Sequence, residues 1–393
     1  MRIGLVTKWF ASGQAVVSRQ IRSALDELGH QTFVFAKPGK GPRANQERIA
    51  DTIWDQPAVT QASGPDPRSD EYLAWASANN LDAVLTDQND QFEEIGALRE
   101  RGVRTIGRFV WESFAPEYAE PAKTAYDVIY SFTRAEQQRY RGFGIESPLL
   151  TWGVHPELLA YADQGTRDRA DDDLVRFVVP GSFMGKRKPF PEIVEAFVRT
   201  DDPRLRLLIR GQVDRKAGKL EKAAGGDERV VIELEDRPTD EHLRQFAACD
   251  VCLSPSRWEG LGLPLYEAIA FGMPAITNDS PPMNEVVIDG VNGICVDSVR
   301  WGEAGSGIPA FDPDFEQLTA AIERLADEDE RARLSRGAIE LREGERSWAR
   351  TVEGLKGLLD DGNAPDPAAP GREAEEAGGT SGIPREAGGT SGI

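Results

Sequence analysis

LSPSRWEGLGLPLYEAIAFGMPAITND, residues 253–279, sets the architecture expected of this chain. An apolar strand ends in Ser-Pro-Ser, a glycine-bearing loop follows, and a helix grows from the loop. Pro264 suits the first helical turn, where its missing N–H would have had no partner anyway. The helix is expected to stop near Phe271, with Gly272 as its cap and Pro274 opening the next strand. Gly260 and Gly262 leave the backbone bare just ahead of that helix. Exposed amides and the positive end of the helix dipole make the turn an anion site fit for a diphosphate. Two carboxylates frame it, Glu259 before the loop and Glu267 eight residues later. Acids do not hold phosphate, but they accept hydrogen bonds from hydroxyls, and a nucleotide sugar carries hydroxyls on both sides of its diphosphate. Taken singly, either glutamate also reads as a dipole complement worth ~0.3–1 kcal/mol.

On either side of this segment, short apolar runs alternate with helical patterns, the mark of a parallel α/β sheet. The first half offers strands at 2–7, 31–36, 82–86, 103–109, 127–131 and 148–152. Between the first two, residues 15–28 place Val16, Ile21, Leu25 and Leu28 on one stripe, with Gly29 as the cap. After an acidic, turn-prone break at 163–173 the series restarts at 175–180, 204–209, 229–234, 250–254, 274–278 and 293–296. Two such series predict two doubly wound domains with a ligand site between them. The hinge falls at TWGVHP (151–156), where Gly153 and Pro156 punctuate the chain. Helical patterns at 315–327 and 347–359 close the ordered part. The expected division is 1–153, 154–345, a helix at 346–362 and a tail at 363–393. The tail ends in the tandem repeat EAGGTSGIPREAGGTSGI, too poor in apolar surface to offset its ordering entropy, and is expected to be disordered.

A length of 393 residues is too great for one core, in agreement with two domains. The chain is 40% hydrophobic and 28% charged, as in an ordinary globular protein. No run approaches the ~18–20 apolar residues of a membrane span. The opening MRIGLVTKWF is a short strand without a secretory signal's features, so a cytoplasmic protein with at most peripheral membrane contact is expected. Net charge is −20, with 36 Arg against 10 Lys. Such acidity repels nucleic acid and anionic lipid as primary partners, and matches the composition of a halophilic host. Three cysteines make no disulfide framework. Cys249 and Cys252 have C-x-x-C spacing, but with no second pair and only His30, His155 and His242 they read as core residues, and no metal site is expected.

Residues 253–279 resemble the Glu-x7-Glu motif of retaining glycosyltransferases of the GT-B fold, most closely glycosyltransferase family 4 (glycosyl transferases group 1). The likeness runs through Pro-Ser, Glu-Gly-x-Gly-Leu, Glu-Ala and Gly-x-Pro, from Pro255 to Pro274, and extends more loosely over most of the chain. It implies two Rossmann-like domains facing across a cleft, with a C-terminal helix carrying Trp348 that returns to the N-terminal domain. It implies that Glu259 contacts the transferred sugar, that Glu267 binds the ribose, and that the amides near Gly262 and Leu263 meet the diphosphate. VPGSFMGKRKPFPEIVEAF (179–197) resembles the family's basic loop, which places Arg187 and Lys188 on the leaving diphosphate. KRK (186–188) also reads as a solvated charge run, but its place between strand and helix favours an anion site. Where the family often has Gly-Arg, this chain has Gly181-Ser182, and Arg210 is the substitute cation suggested by position. In the loop KWFASGQAVVSRQ (8–20), Ser12-Gly13 stands where Gly-Gly is common, so Gly13 either approaches the donor or merely shapes a tight turn. RFVWESF (108–114) lacks the histidine many members carry, leaving Trp111 and Glu112 to meet sugar by stacking and hydrogen bonding.

Two patterns are set aside. GKGPRA (39–44) contains Pro42 and opens no convincing helix, and DPD (312–314) precedes a helix that Asp commonly caps. The resemblance implies metal-independent hexosyl transfer from a nucleotide diphosphate sugar to an acceptor hydroxyl with retention, in glycan or glycolipid biosynthesis, with no further cofactor. The alternative is a catalytically silent GT-B protein that binds nucleotide sugar or serves as a partner subunit, which the missing histidine and Ser182 favour. Trp9, Phe10, Trp111 and Phe114 either line an acceptor pocket or belong to the core.

Overall fold

The computed structural model describes residues 1–39, 52–168, 172–181, 185–212 and 217–360. β1 (Arg2–Lys8) lies between β2 (Gln31–Lys37) and β4 (Ala83–Asp87) and pairs with both in parallel. Its five middle residues are all buried, because helices cover both faces; the strand therefore reads as a continuous apolar run. β3 (Val59–Gln61), β5 (Arg104–Arg108) and β6 (Val128–Ile129) complete a parallel sheet of order β3-β2-β1-β4-β5-β6. Its helices are α1 (Gly13–Glu27), α2 (Ser69–Ala78), α3 (Phe92–Glu100), α4 (Ala119–Ala125) and α5 (Arg134–Gly142). The second sheet has order β12-β11-β10-β7-β8-β9, again parallel. It contains β7 (Val175–Pro180), β8 (Leu205–Gly211), β9 (Val230–Leu234), β10 (Val251–Leu253), β11 (Ala275–Asn278) and β12 (Gly293–Val296). Around it lie α6 (Leu159–Asp168), α7 (Phe190–Val198), α8 (Ala217–Ala224), α9 (Thr239–Ala247), α10 (Leu263–Ala270), α11 (Met283–Val286), α12 (Phe315–Arg324) and α13 (Glu328–Glu343). An antiparallel hairpin, β13 (Ser298–Glu303) and β14 (Pro309–Pro313), is inserted after β12.

α14 (Trp348–Asp360) leaves the second unit and packs on α1, with Leu355 and Leu358 fully buried. Each such leucine contributes roughly 1.5–3 kcal/mol. Arg104 of β5 donates to the carbonyls of Leu358 (2.9 Å) and Leu359, which satisfies two of the orphan acceptors at the helix end. The chain thus crosses between the units twice, and the crossings touch. Val154 N–H donates to the Arg346 carbonyl (2.8 Å) and Gly153 N–H to the Thr351 hydroxyl (2.8 Å).

Four sequence readings change. Residues 148–152 form no strand; Leu149 makes a single bridge to Ser131 before Leu150 and Trp152 turn inward to be buried beside α14. The acidic segment at 163–173 is helical as far as Asp168, because α6 packs on α9. The DPD triplet, expected simply to precede a helix, begins inside a strand: Asp312 and Pro313 belong to β14, and Asp314 caps α12 by accepting from Glu316 and Gln317 N–H. β3 and the hairpin were not anticipated, the first because three residues carry too little periodicity. Residues 40–44, Ser182 and the tail at 363–393 lie outside the described residues. Cys249 and Cys252 are buried thiols that form no disulfide. Among the described residues no cluster of potential metal ligands occurs, and no helix is long and apolar enough to cross a membrane.

Candidate functional site

β10 delivers Ser254 and Ser256 to the carboxyl end of the second sheet, and Lys188 arrives there from the loop after β7. The Lys188 ammonium is buried and donates to Ser254 Oγ (2.7 Å) and Ser256 Oγ (2.8 Å). Ser256 Oγ in turn donates to Glu259 Oε1 (2.8 Å), and Lys188 Nζ stands 3.4 Å from the same oxygen. Arg187 donates to Glu259 Oε2 (3.2 Å). Burial alone would push the Glu259 carboxyl up; Lys188, Arg187 and the Ser256 hydroxyl outweigh it and hold it below the usual range. Glu259 is therefore a fixed carboxylate. The two loops are also bound through their backbones, Arg257 N–H donating to the Arg187 carbonyl at 2.7 Å.

Three residues later the chain turns into α10. Gly262, the residue before the first helical turn, has φ +77, a left-handed conformation that glycine adopts without a Cβ penalty. Leu265 N–H bonds back to the Gly262 carbonyl (2.8 Å) and Pro264 has no N–H, so of the first three residues of α10 Leu263 is the one whose amide has no acceptor within the helix. Opposite them stands the start of α1: a Cβ built on Gly13 would lie 3.6 Å from Leu263 Cδ1. Two helix N-termini from different domains thus face each other across a narrow gap.

Glu267 lies in the second turn of α10. Burial and then the charge of Glu157 push its carboxyl up to about 7. Glu157 itself is held low, against the effect of its burial, by the bidentate bond from Arg19 (2.6 Å to each oxygen). Glu259 and Glu267 belong to one loop–helix unit, and their surroundings shift their carboxyls in opposite directions. Arg210 stands at the end of β8, level with Pro180, where its guanidinium pairs with Glu233 (3.2 Å).

The N-terminal domain closes over this cluster. Val110 and the 3-10 turn Trp111–Ser113 follow β5. Trp111 Nε1–H donates to the Glu259 carbonyl (2.6 Å), and Glu112 accepts from Arg187 (2.5 Å). Glu112 and Glu259 hence share one guanidinium across the domain boundary. Burial pushes Glu112 up, Arg187 opposes this, and Glu259 adds to it. Trp9, Trp111 and Phe114 are buried, so of the suggested acceptor aromatics these three serve as core.

Residues 171–340 match the family described as Glycosyl transferases group 1. That part of the chain belongs to it. Among curated relatives of this glycosyl transferase domain is the D-inositol 3-phosphate glycosyltransferase of Corynebacterium diphtheriae, 29% identical over 162 residues, or 37% of this chain and 38% of that protein. The chain thus spans under half the length of such relatives. Among solved structures, sucrose-phosphate synthase from Thermosynechococcus elongatus superposes with a TM-score of 0.70 at 18% identity, covering 91% of this chain and 98% of that one. Anabaena HepE in complex with UDP-glucose gives 0.65 at 14%, covering 91% and 99%. These likenesses are of fold: two facing Rossmann-like domains, the GT-B arrangement.

Around the glycosyl transferase domain's loop, sequence reading missed three groups. Ser254 and Ser256 stood in the quoted Ser-Pro-Ser, and their alternate spacing around a proline was the available signal for two hydroxyls on one side. The sharing of Arg187 by Glu112 and Glu259 had no local signal. Nor had Glu285, which reaches from α11 to accept from Arg134 N–H (2.6 Å) and Ala135 N–H (3.0 Å) at the start of α5 in the other domain.

Proposed function

We propose that this chain moves a hexosyl unit from a nucleoside diphosphate sugar to an acceptor hydroxyl, with retention and without a bound metal, in glycan or glycolipid assembly. One observation carries the reading: a fixed carboxylate with two cations sits at the start of α10, facing the start of α1. A diphosphate between the two helix starts meets two positive helix ends and the Leu263 amide. Glu259 then accepts from hydroxyls of the hexose, and Glu267, one turn along α10, from those of the ribose. As the anomeric C–O bond breaks, charge gathers on the departing diphosphate, and Lys188 and Arg187 stabilise it. The Arg187 side chain is 42% exposed, so it has room to turn from Glu112 toward phosphate. The acceptor proton leaves on a phosphate oxygen on the same face, which requires no protein nucleophile. The Val110–Glu112 segment lies over the loop and excludes water from the donor.

UDP-sugars are the first donors to test, since Anabaena HepE shares the fold and was solved with UDP-glucose. Release of free nucleotide from UDP-, GDP- and ADP-sugars is the measurement. Wild type is expected to turn over at least one donor, and Glu267→Ala to raise the donor's KM by about 10–100-fold, the loss of hydrogen bonds to a charged group. Donor binding without nucleotide release under any acceptor condition would instead leave a silent binding protein.

A further inference from the structure

We propose that Trp258 and Trp301, with Glu112, form the acceptor subsite and take one pyranose ring of a glycan. This rests on the transferase reading, because it places the acceptor beside Glu259.

The β13–β14 hairpin spans the two domains. Its inner residues Ala304 and Ile308 are buried in one cluster with Trp111 and Ala135, and Arg139 of α5 donates to the Ser306 carbonyl (2.7 Å). On the hairpin's first strand Trp301 is 42% exposed, unusual for so large an aromatic side chain. It is nevertheless held in place. The Arg257 guanidinium lies 4.7 Å over its ring, and Arg257 is itself fixed by Asp312 (2.6 Å) and the Lys186 carbonyl (3.0 Å). Trp258 stands with its ring centroid 6.2 Å away and its plane tilted by 34°. That indole directly precedes Glu259 and donates its N–H to Glu112. The aromatic pair is therefore continuous with the carboxylates at the transfer site.

A pyranose has one face of C–H groups, slightly positive, which settles on the negative face of an indole. Its ring hydroxyls point sideways and need acceptors, and Glu112 supplies one at the edge of the platform. Rigid indoles add contact area at little entropic cost. Exposed Val299 beside Trp301 would also suit a membrane surface. The surroundings argue against it: Arg300 is paired with Glu303 (3.1 Å), and the chain's net charge of −20 repels anionic lipid.

Saturation-transfer NMR with methyl glucopyranoside, mannopyranoside and galactopyranoside tests the site on wild type, Trp301→Ala and Trp301→Phe, with UDP titrated calorimetrically into each. Truncating a half-exposed ring leaves the core intact, so all three proteins are expected to melt alike and to bind UDP alike. Wild type should transfer saturation to the ring C–H protons of at least one pyranoside. Trp301→Ala should weaken this about five-fold or more, and Trp301→Phe should keep most of it. No transfer from any pyranoside, or equal transfer in Trp301→Ala, overturns the proposal. So does an effect of Trp301→Ala confined to co-sedimentation with anionic phospholipid vesicles, which would assign a membrane contact. Failure of wild type to bind UDP brings down the donor reading, and the acceptor role with it, through a separate readout.

Discussion

Glu259 and Glu267 lie eight residues apart, and their carboxyls are shifted in opposite directions because their partners differ. Glu259 has Lys188, Arg187 and Ser256 within reach, whereas Glu267 has burial and a neighbouring anion, Glu157. A carboxyl raised to about 7 binds its proton in the folded state where the unfolded chain has lost it. The folded protein is therefore favoured below the ordinary glutamate pKa of ~4.3, and that contribution is lost as pH rises through 7. Glu267→Gln is accordingly expected to raise the melting temperature most at pH 8, less at pH 5, and to leave it unchanged only below about pH 4, while weakening donor binding. In wild type the ionised fraction grows about tenfold from pH 6 to pH 8, and donor affinity should rise with it. Calorimetric titrations and melting curves of the two proteins decide this; the same pH dependence in both would remove Glu267 from the donor site.

The loop-to-α10 element contains two glycines that sequence treats alike and structure separates. Gly262 needs its left-handed φ of +77, yet a Cβ there would stand 3.5 Å from Leu265 Cδ1, ordinary contact. Gly260 carries no such φ, yet its Cβ would fall 2.5 Å from Val110 Cγ1 in the other domain. Gly262→Ala should therefore cost roughly 1–2 kcal/mol of stability and redirect the helix-start amides, so that UDP affinity falls. Gly260→Ala should bind UDP nearly as well but transfer sugar more slowly, because Val110 can no longer approach. Separate measurement of UDP affinity and turnover distinguishes them, and identical behaviour of the two variants would discard this division. The bare turn was legible because glycine, proline and serine punctuate it locally. That Val110 is what makes Gly260 small was not legible, since the two stand 150 positions apart.

The molecule's two halves are joined by touching crossovers and by groups that bond across the gap. A Cβ on Gly153 would lie 2.3 Å from the Ser347 carbonyl oxygen, backbone that cannot yield without parting the crossings. Gly153→Ala is expected to lower stability by about 1–3 kcal/mol and to loosen the seat of α14. Denaturant unfolding, with proteolysis near residue 347 as a second readout, checks it; an unchanged midpoint would mean the crossings are not in contact. Glu285 belongs to the same scale. It caps α5 across the gap and so couples the C-terminal domain to the helix whose Arg139 holds the hairpin.

The amino-acid order by itself determined the succession of strands and helices and the loop that opens α10. Both are written in contiguous residues, as apolar runs, as turn residues and as paired acids. Even so, 148–152 reads as a strand and becomes a crossover, because its apolar side chains can be buried against a helix as well as within a sheet. Only the tertiary structure decided that Glu112 shares Arg187 with Glu259, that Gly13 faces Leu263, and that a hairpin carries Trp301 to the edge of the gap. Those contacts join residues 43 to 250 positions apart along the chain. They follow from how two separately packed sheets come face to face, which is settled by the sum of many weak contacts and leaves no mark in any short segment.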